Sequence, residues 1–514
     1  MTVGGATMAS RFLGFAREML IAFILGAGPV ADAFYAAFRF PNLFRRLFAE
    51  GAFNAAFVPM FSKELETGTL KQAKQFAENI LSYLLIILIF LTAIAEISMP
   101  WLVANVIAPR FADNADKFEL TVELTRIMFP FLLCMSVVAM LSGILNAMRH
   151  YFVAAIVPVI MNIVLVSVLL IAHSQSFNPV LVGKTLAWGV LVSGILQLAL
   201  LYYAVSRQGF RLHLKIPRPS PKVKKLLLLA APVALTGGIT QINLLVGQVI
   251  ASAQDGAIAI LNYADRIYQL PLGVVGIAIG VVLLPELSRA LAAADQKEAH
   301  LLQNKSLEFA LMLTLPAAVG LFFLPGPIIA MLYERGAFSA ETTALTAAAL
   351  AAFAIGLPSF VLLKVFQPVY FARFNMRAPM WFALISAIIN IVGSLLLFPY
   401  YGHVGIAFAT SIAGWVNALM LIAGLTMGGN FSLPRQSIAR LTKILLASLI
   451  MGLLLYVTSG WIIDMTTNQG FLTRFAIVMA AITMGAIVYF GTLIVTGGLK
   501  LSELKSVVSK KKSS

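Results

Sequence analysis

The chain has 514 residues, is 60% hydrophobic and 11% charged, and carries a formal net charge of +16 with a mean hydropathy of +0.92. A water-soluble globule is excluded, because such domains carry about 25% charged residues. The basic excess does not point to nucleic acid, since its cations gather in alternate loops, the pattern that orients membrane spans.

A helical span needs about 20 mainly apolar residues, and hydropathy predicts an all-α polytopic membrane protein with about fourteen transmembrane helices. The spans centre near residues 15, 45, 92, 137, 162, 195, 240, 275, 318, 358, 388, 415, 449 and 486. Proline and glycine make the second, eighth and tenth the least regular. With the N-terminus in the cytoplasm, the even-numbered loops and the C-terminal stretch hold most of the Lys and Arg, so both termini are expected there. The first apolar segment contains Arg11, Arg17 and Glu18 and lacks a signal-peptide layout, so it is read as a retained span. The single cysteine, Cys134, falls in the fourth span and leaves no disulfide within one chain.

Those first charges are the most informative feature. The stretch Ser10-Arg11-Phe12-Leu13-Gly14-Phe15-Ala16-Arg17-Glu18 runs directly into an apolar segment, and Asp32, Arg39, Arg45, Arg46 and Glu50 follow in the second span. An ionised side chain at mid-bilayer costs about 2.5–3.5 kcal/mol, so six or seven unsheltered cations would cost on the order of 20 kcal/mol. Such groups are expected to line a wet cavity or to hold a ligand, and a mainly cationic cavity selects an anion. On an ideal helix Arg11 and Glu18 fall within about 20° of each other, with Arg17 about 120° away. Arg11 is also close enough to the chain start to reach the headgroups. Asp32, Arg39, Arg46 and Glu50 form one stripe and Arg45 lies opposite, although Pro41 and Gly51 are expected to break the segment. For Arg45 and Arg46 the alternative is an interfacial anchor or ion pair, and for Asp32 structural capping or pairing is the favoured role.

The stretch 207–225 has seven Lys/Arg, three prolines and no acid, so it reads as an extended basic cytoplasmic linker. It separates an N-terminal six-helix lobe, 1–206, from a second six-helix lobe, 226–430. Spans 13 and 14, 431–499, precede a basic cytoplasmic tail, 500–514. The two lobes repeat. Gly4-Gly5-Ala6-Thr7 matches Gly237-Gly238-Ile239-Thr240, and Ala31-Asp32 with Tyr35 matches Ala264-Asp265 with Tyr268. Pro130 matches Pro358, Asn162-Ile163-Val164 matches Asn390-Ile391-Val392, and Gly194 and Gln197 match Gly414 and Asn417. Six spans per lobe make the repeat parallel; in such folds the substrate sits near mid-membrane between halves that rock in alternating access. Arg266 has no counterpart, because Ala33 stands at its place in the first half.

Across spans 1, 2 and 8, six arginines face Glu18, Asp32, Glu50 and Asp265, a surplus of two positive charges. A diphosphate carries about that much negative charge, and the arginine fork suits phosphate oxygens. Lys364 is a further candidate contact. Gly183-Lys184-Thr185 is not read as a phosphate loop, since Asn178 stands where its first glycine would be. The five histidines are scattered, so no metal site and no catalytic group are expected.

Four segments carry a resemblance. Ser10 to Glu18, Ala31-Asp32-Ala33-Phe34, Pro41-Asn42-Leu43-Phe44-Arg45-Arg46-Leu47-Phe48-Ala49-Glu50-Gly51-Ala52-Phe53 and Tyr263-Ala264-Asp265-Arg266 resemble the MurJ/MviN family of bacterial lipid II flippases, within the superfamily of multidrug and polysaccharide exporters. The resemblance implies an inner-membrane, non-enzymatic transporter that moves an undecaprenyl-diphosphate-linked peptidoglycan precursor from the cytoplasmic to the periplasmic leaflet. It places the family's essential arginines on Arg11, Arg17, Arg45 and Arg266, with Asp32 a further functional acid and Arg45 preferred over Arg46. Glu18 stands where an aspartate is usual. It also implies a lipid-tail groove on spans 13 and 14, and partners among lipid II, membrane lipids and cell-wall synthesis proteins. No cofactor and no nucleic acid are expected. Spans 7, 11 and 12 have no Asp or Glu, so no carboxylate sodium site is expected. The alternatives are an exporter of drugs or of another lipid-linked oligosaccharide, and a non-transporting scaffold for cell-wall synthesis.

Overall fold

The computed structural model describes residues 3–46, 53–293, 295–467 and 469–499, and they are helical with no strand among them. By internal packing the chain divides into two units, Met1–Ala259 with Arg335–Phe338, and Ile260–Glu334 with Ser339–Ser514.

The first unit holds α1 (Val3–Leu25), α2 (Pro29–Phe44), α3 (Asn54–Thr67), α4 (Leu70–Leu102), α5 (Ala115–Met128), α6 (Phe131–Ala147), α7 (Tyr151–Ser174), α8 (Pro179–Arg207) and α9 (Pro221–Ala251). It also contains the start of α10 (Ala257–Ala292), which continues into the second unit. There follow α11 (Gln296–Phe323), α12 (Pro325–Tyr333), α13 (Ala340–Ala372), α14 (Arg377–Tyr401), α15 (His403–Met427), α16 (Arg435–Thr466) and α17 (Phe471–Val495). Among the described residues ten helical stretches are long and apolar enough to cross a membrane, and they coincide with spans 3–6 and 9–14 of the sequence reading. The remaining four expected spans correspond to α1, α2–α3, α9 and α10.

The proline-marked spans depart from expectation in an instructive way. Pro41 does not end α2, which continues to Phe44, and the Pro41 carbonyl still accepts the Arg45 N–H. Spans 8 and 10 run as the single helices α10 and α13, each through two prolines. In an apolar helix a proline deletes one ladder bond and leaves the neighbours' bonds in place. Span 4 divides into α5 and α6 on either side of Phe129-Pro130.

Packing and helix ends recur in the two units. In the first unit α8 packs on α6 and α7, and in the second α15 packs on α13 and α14. Helix α8 stops at Gly209 (φ +83°), with the Phe210 N–H bonded to the Val205 carbonyl at 3.3 Å. Helix α15 stops at Gly429 (φ +67°), with the Asn430 N–H bonded to the Leu425 carbonyl at 2.8 Å. Glycine suits both places because the left-handed backbone that closes this cap penalises a Cβ. Each cap turns an aromatic ring into its own core: Phe210 joins Phe57, Phe61 and Phe76, and Phe431 joins Phe366, Val365 and Leu425.

Candidate functional site

Helix α1 is held along α7 by a polar bridge. Asn162 sits on α7, accepting from Arg17 Nη1 at 3.0 Å and donating its Nδ2 to the Ser10 carbonyl at 2.9 Å. A carboxamide can do both at once, which pins α1 at two points nearly two turns apart. Arg17 also pairs through Nη2 with Glu18, whose other oxygen accepts from the Tyr35 hydroxyl at 2.7 Å. Both charged residues are buried. Removing one member of such a pair is costly, about 3–5 kcal/mol, because the other is left charged in apolar surroundings.

The ideal-helix angles therefore misjudged this turn. Glu18 shares a face with Arg11 by angle, yet Arg11 is exposed near the start of α1 and Glu18 turns inward to Arg17 and Tyr35. The long arginine side chain reaches around the helix, which a wheel of Cα positions does not register.

Asp32 is fully buried at the first turn of α2, and its carboxylate is completely engaged. Oδ2 accepts from Lys117 Nζ at 2.8 Å and from the Gly256 N–H at 2.7 Å, while Oδ1 accepts from the Ala259 N–H at 3.0 Å. Asp32 thus caps the start of α10 from another helix, where the exposed amides favour an anion. Lys117, from α5, completes the group: it is buried, pairs as well with Asp255 at 2.9 Å, and lies 4.1 Å from the centre of the Phe111 ring. Of the two roles open to Asp32 from sequence, this geometry is that of the cap and ion-pair partner.

Lys117 was missed by the sequence reading, and it changes the charge tally. It stands between Asp116 and Glu119 at the start of the fourth span, and nothing in that local sequence marks it as the partner of Asp32. Tyr35 and Asn162 had been noticed only as markers of the repeat.

The other candidates lie on or just after α2 and on α10 and α13. Arg45 follows the end of α2, is half-buried, and donates Nε to Asn42 Oδ1 at 2.9 Å. Arg39 is half-buried on α2 and Arg46 is exposed. Glu50 lies outside the described residues. In the second unit Arg266 and Asp265 are half-buried on α10, between the buried rings of Tyr263 and Tyr268; Asp265 accepts from Gln269. Lys364 is exposed on α13 near Gly276. Lys184 of the rejected phosphate-loop sequence pairs with Glu123 at 2.9 Å on a continuous helix. Among the described residues no group of His, Cys, Asp or Glu could hold a metal.

The comparisons with known proteins bear on this arrangement. The sequence model of the family described as "Lipid II flippase MurJ" matches residues 21–481. A "Probable lipid II flippase MurJ" of Rhizobium tropici is 49% identical over 514 residues, covering 100% of this chain and 96% of that protein. A "Lipid II flippase MurJ" of Burkholderia cenocepacia is 32% identical, over 97% and 96% of the two chains. Among solved structures, "Lipid II flippase MurJ, inward closed conformation" aligns with a TM-score of 0.77 at 27% identity, covering 96% of this chain and 99% of that one. An inward-facing multidrug transporter of the MATE family aligns with a TM-score of 0.66 over 84% and 96% of the two chains, at 15% identity, and shares the fold alone. With half its length or more inside that family model and relatives matched end to end, this multi-pass membrane protein belongs to the MurJ lipid II flippase family.

Proposed function

We propose that this chain translocates lipid II, the undecaprenyl-diphosphate-linked peptidoglycan precursor, from the cytoplasmic to the periplasmic leaflet of a bacterial inner membrane. Both termini lie in the cytoplasm in this reading, which the loop distribution of Lys and Arg supports. The observation that carries it is the set of arginines on α1, on and just after α2, and at position 266 of α10, in a chain that belongs to the MurJ family.

Arg11, Arg39, Arg45 and Arg46, with Arg266 from α10, supply the positive field that draws the diphosphate, and arginine forks match its oxygens. Arg17 enters later. Glu18 pairs with it and Asn162 keeps it aimed, and a phosphate oxygen replaces the Glu18 carboxylate when substrate arrives. The exchange trades one charged acceptor for another, so the guanidinium is never left uncompensated. Asp32 acts through the first turn of α10, the helix that bears Arg266, and not by touching an anion. The polyprenyl chain runs along α16 and α17, where Leu449, Leu453 and Trp461 of α16 and Ile482, Ile487 and Phe490 of α17 are exposed. The cycle is alternating access. An inside-negative potential draws the emptied cationic site back inward, at about 2.3 kcal/mol per charge moved through 100 mV.

Replacing Arg266 or Arg11 with Ala in a strain depleted of its own flippase tests the assignment. Membrane levels stay normal and growth fails. Full growth of both variants overturns the roles given to these arginines. A drug exporter or a scaffold of cell-wall enzymes would tolerate the same changes.

A further inference from the structure

The basic linker is a strap tied to the end of α4. Residues 210–220 are non-helical, and their backbone is bonded at successive points. The His213 N–H donates to Glu78 Oε1 at 3.1 Å and the Lys215 N–H to Ser82 Oγ at 3.3 Å. Asn79 then clasps Arg218 both ways, accepting its N–H at 2.8 Å and donating to its carbonyl at 3.0 Å. Glu78 is buried and pairs with the Lys215 ammonium, and Lys222 pairs with Glu64 at 2.7 Å. Phe210 and Leu212 anchor the start of the strap in the first unit's core.

The opposite edge has the composition of a membrane-surface element. Leu214 is 70% and Ile216 88% exposed, although both are aliphatic. Exposed Arg211 and Arg218 flank them, and there is no acid between 207 and 225. Fixing a backbone so that two aliphatic side chains face water costs hydrophobic free energy with no return. The arrangement is favourable where apolar tips enter the acyl boundary and cations meet anionic headgroups.

We propose that residues 211–218 form a fixed docking edge for the anionic lipid surface of the cytoplasmic leaflet. Leu214 and Ile216 insert, and Arg211 and Arg218 contact the headgroups. The side of the membrane rests on the orientation proposed above; the lipid contact itself is read without any transport assay, so the two can fail separately.

The test uses the full chain in a Cys134→Ala background with Ile216→Cys carrying an environment-sensitive fluorophore. It is reconstituted in vesicles of phosphatidylcholine alone or mixed with phosphatidylglycerol. The expected result is blue-shifted emission and several-fold less quenching by aqueous iodide in the anionic membrane, reversed by high salt. The pair Arg211→Gln and Arg218→Gln, which leaves the Glu78 and Asn79 side-chain tethers intact, abolishes the difference. Hydrogen exchange at the Leu214 and Ile216 amides of the unlabelled chain follows the same order of lipid dependence. Equal quenching and equal exchange in both membranes overturn the proposal. So does protection that arises only when a soluble protein is added, since the edge would then serve a protein partner.

Discussion

The two repeats share their framework and differ in their charge. The caps at Gly209 and Gly429, the aromatic rings that follow them and the packing of the last three spans recur in both units. Arg11, Arg17 and Glu18 have no such echo: Leu244, Ile250 and Ala251 stand at the matching positions of α9. Asn162 spends its carboxamide on Arg17 and Ser10, whereas its counterpart Asn390 accepts from Thr410 at 3.1 Å. Asp32 holds Lys117 and two backbone amides, while Asp265 accepts from Gln269. Features needed for folding were kept in duplicate, and ionic partners accumulated mainly in one copy. That asymmetry is what the proposed role of the arginines would require chemically.

The sharpest way to break the comparison is at Lys117. Lys117→Met strands the buried Asp32 carboxylate with backbone donors alone and should cost about 3–5 kcal/mol, read as a lowered thermal midpoint in detergent. Adding Asp32→Asn should recover most of that loss, because no buried charge remains. If the single variant is as stable as the parent, the cap on α10 contributes nothing and the contrast with Asp265 is empty.

Next in size is the asparagine pair. Asn162→Ala removes an acceptor from a charged donor and should cost about 1.5–3 kcal/mol, with the same change at Asn390, which accepts from Thr410, as the matched control. A loss at Asn162 well below that range would mean that the Arg17 contact is incidental. The smallest effect tests the shared half. Gly209→Ala and Gly429→Ala should each destabilise by about 1–2 kcal/mol, the left-handed penalty for a Cβ, and by similar amounts. A large difference would show that the two caps are not equivalent.

Much of the fold was legible in the sequence, for a physical reason: lipid-facing helices must be apolar along their length, and hydropathy reads that property directly. The helices that hydropathy describes least well are those that carry the candidate residues: Arg11, Arg17 and Glu18 interrupt α1, and Pro271 and Pro285 punctuate α10. The charges of the site were visible there as residues out of place. Their pairing was not. Arg17 and Glu18 are neighbours in sequence that a wheel separates, and Lys117 lies 85 residues from the aspartate it neutralises. Long side chains and distant partners are set by packing, which periodicity does not encode.

The central claim is that the arginines recognise a lipid-linked diphosphate. It is tested most directly by headgroup-selective translocation in vesicles that contain only this protein. The account predicts that fluorescent lipid II crosses and a phosphatidylcholine analogue does not. Losing one charge-assisted phosphate contact in Arg266→Ala, about 1.5–3 kcal/mol, should slow lipid II by at least about tenfold. Lipid II transport at the parental rate in Arg266→Ala and Arg17→Ala, or equal transport of both lipids, would contradict it.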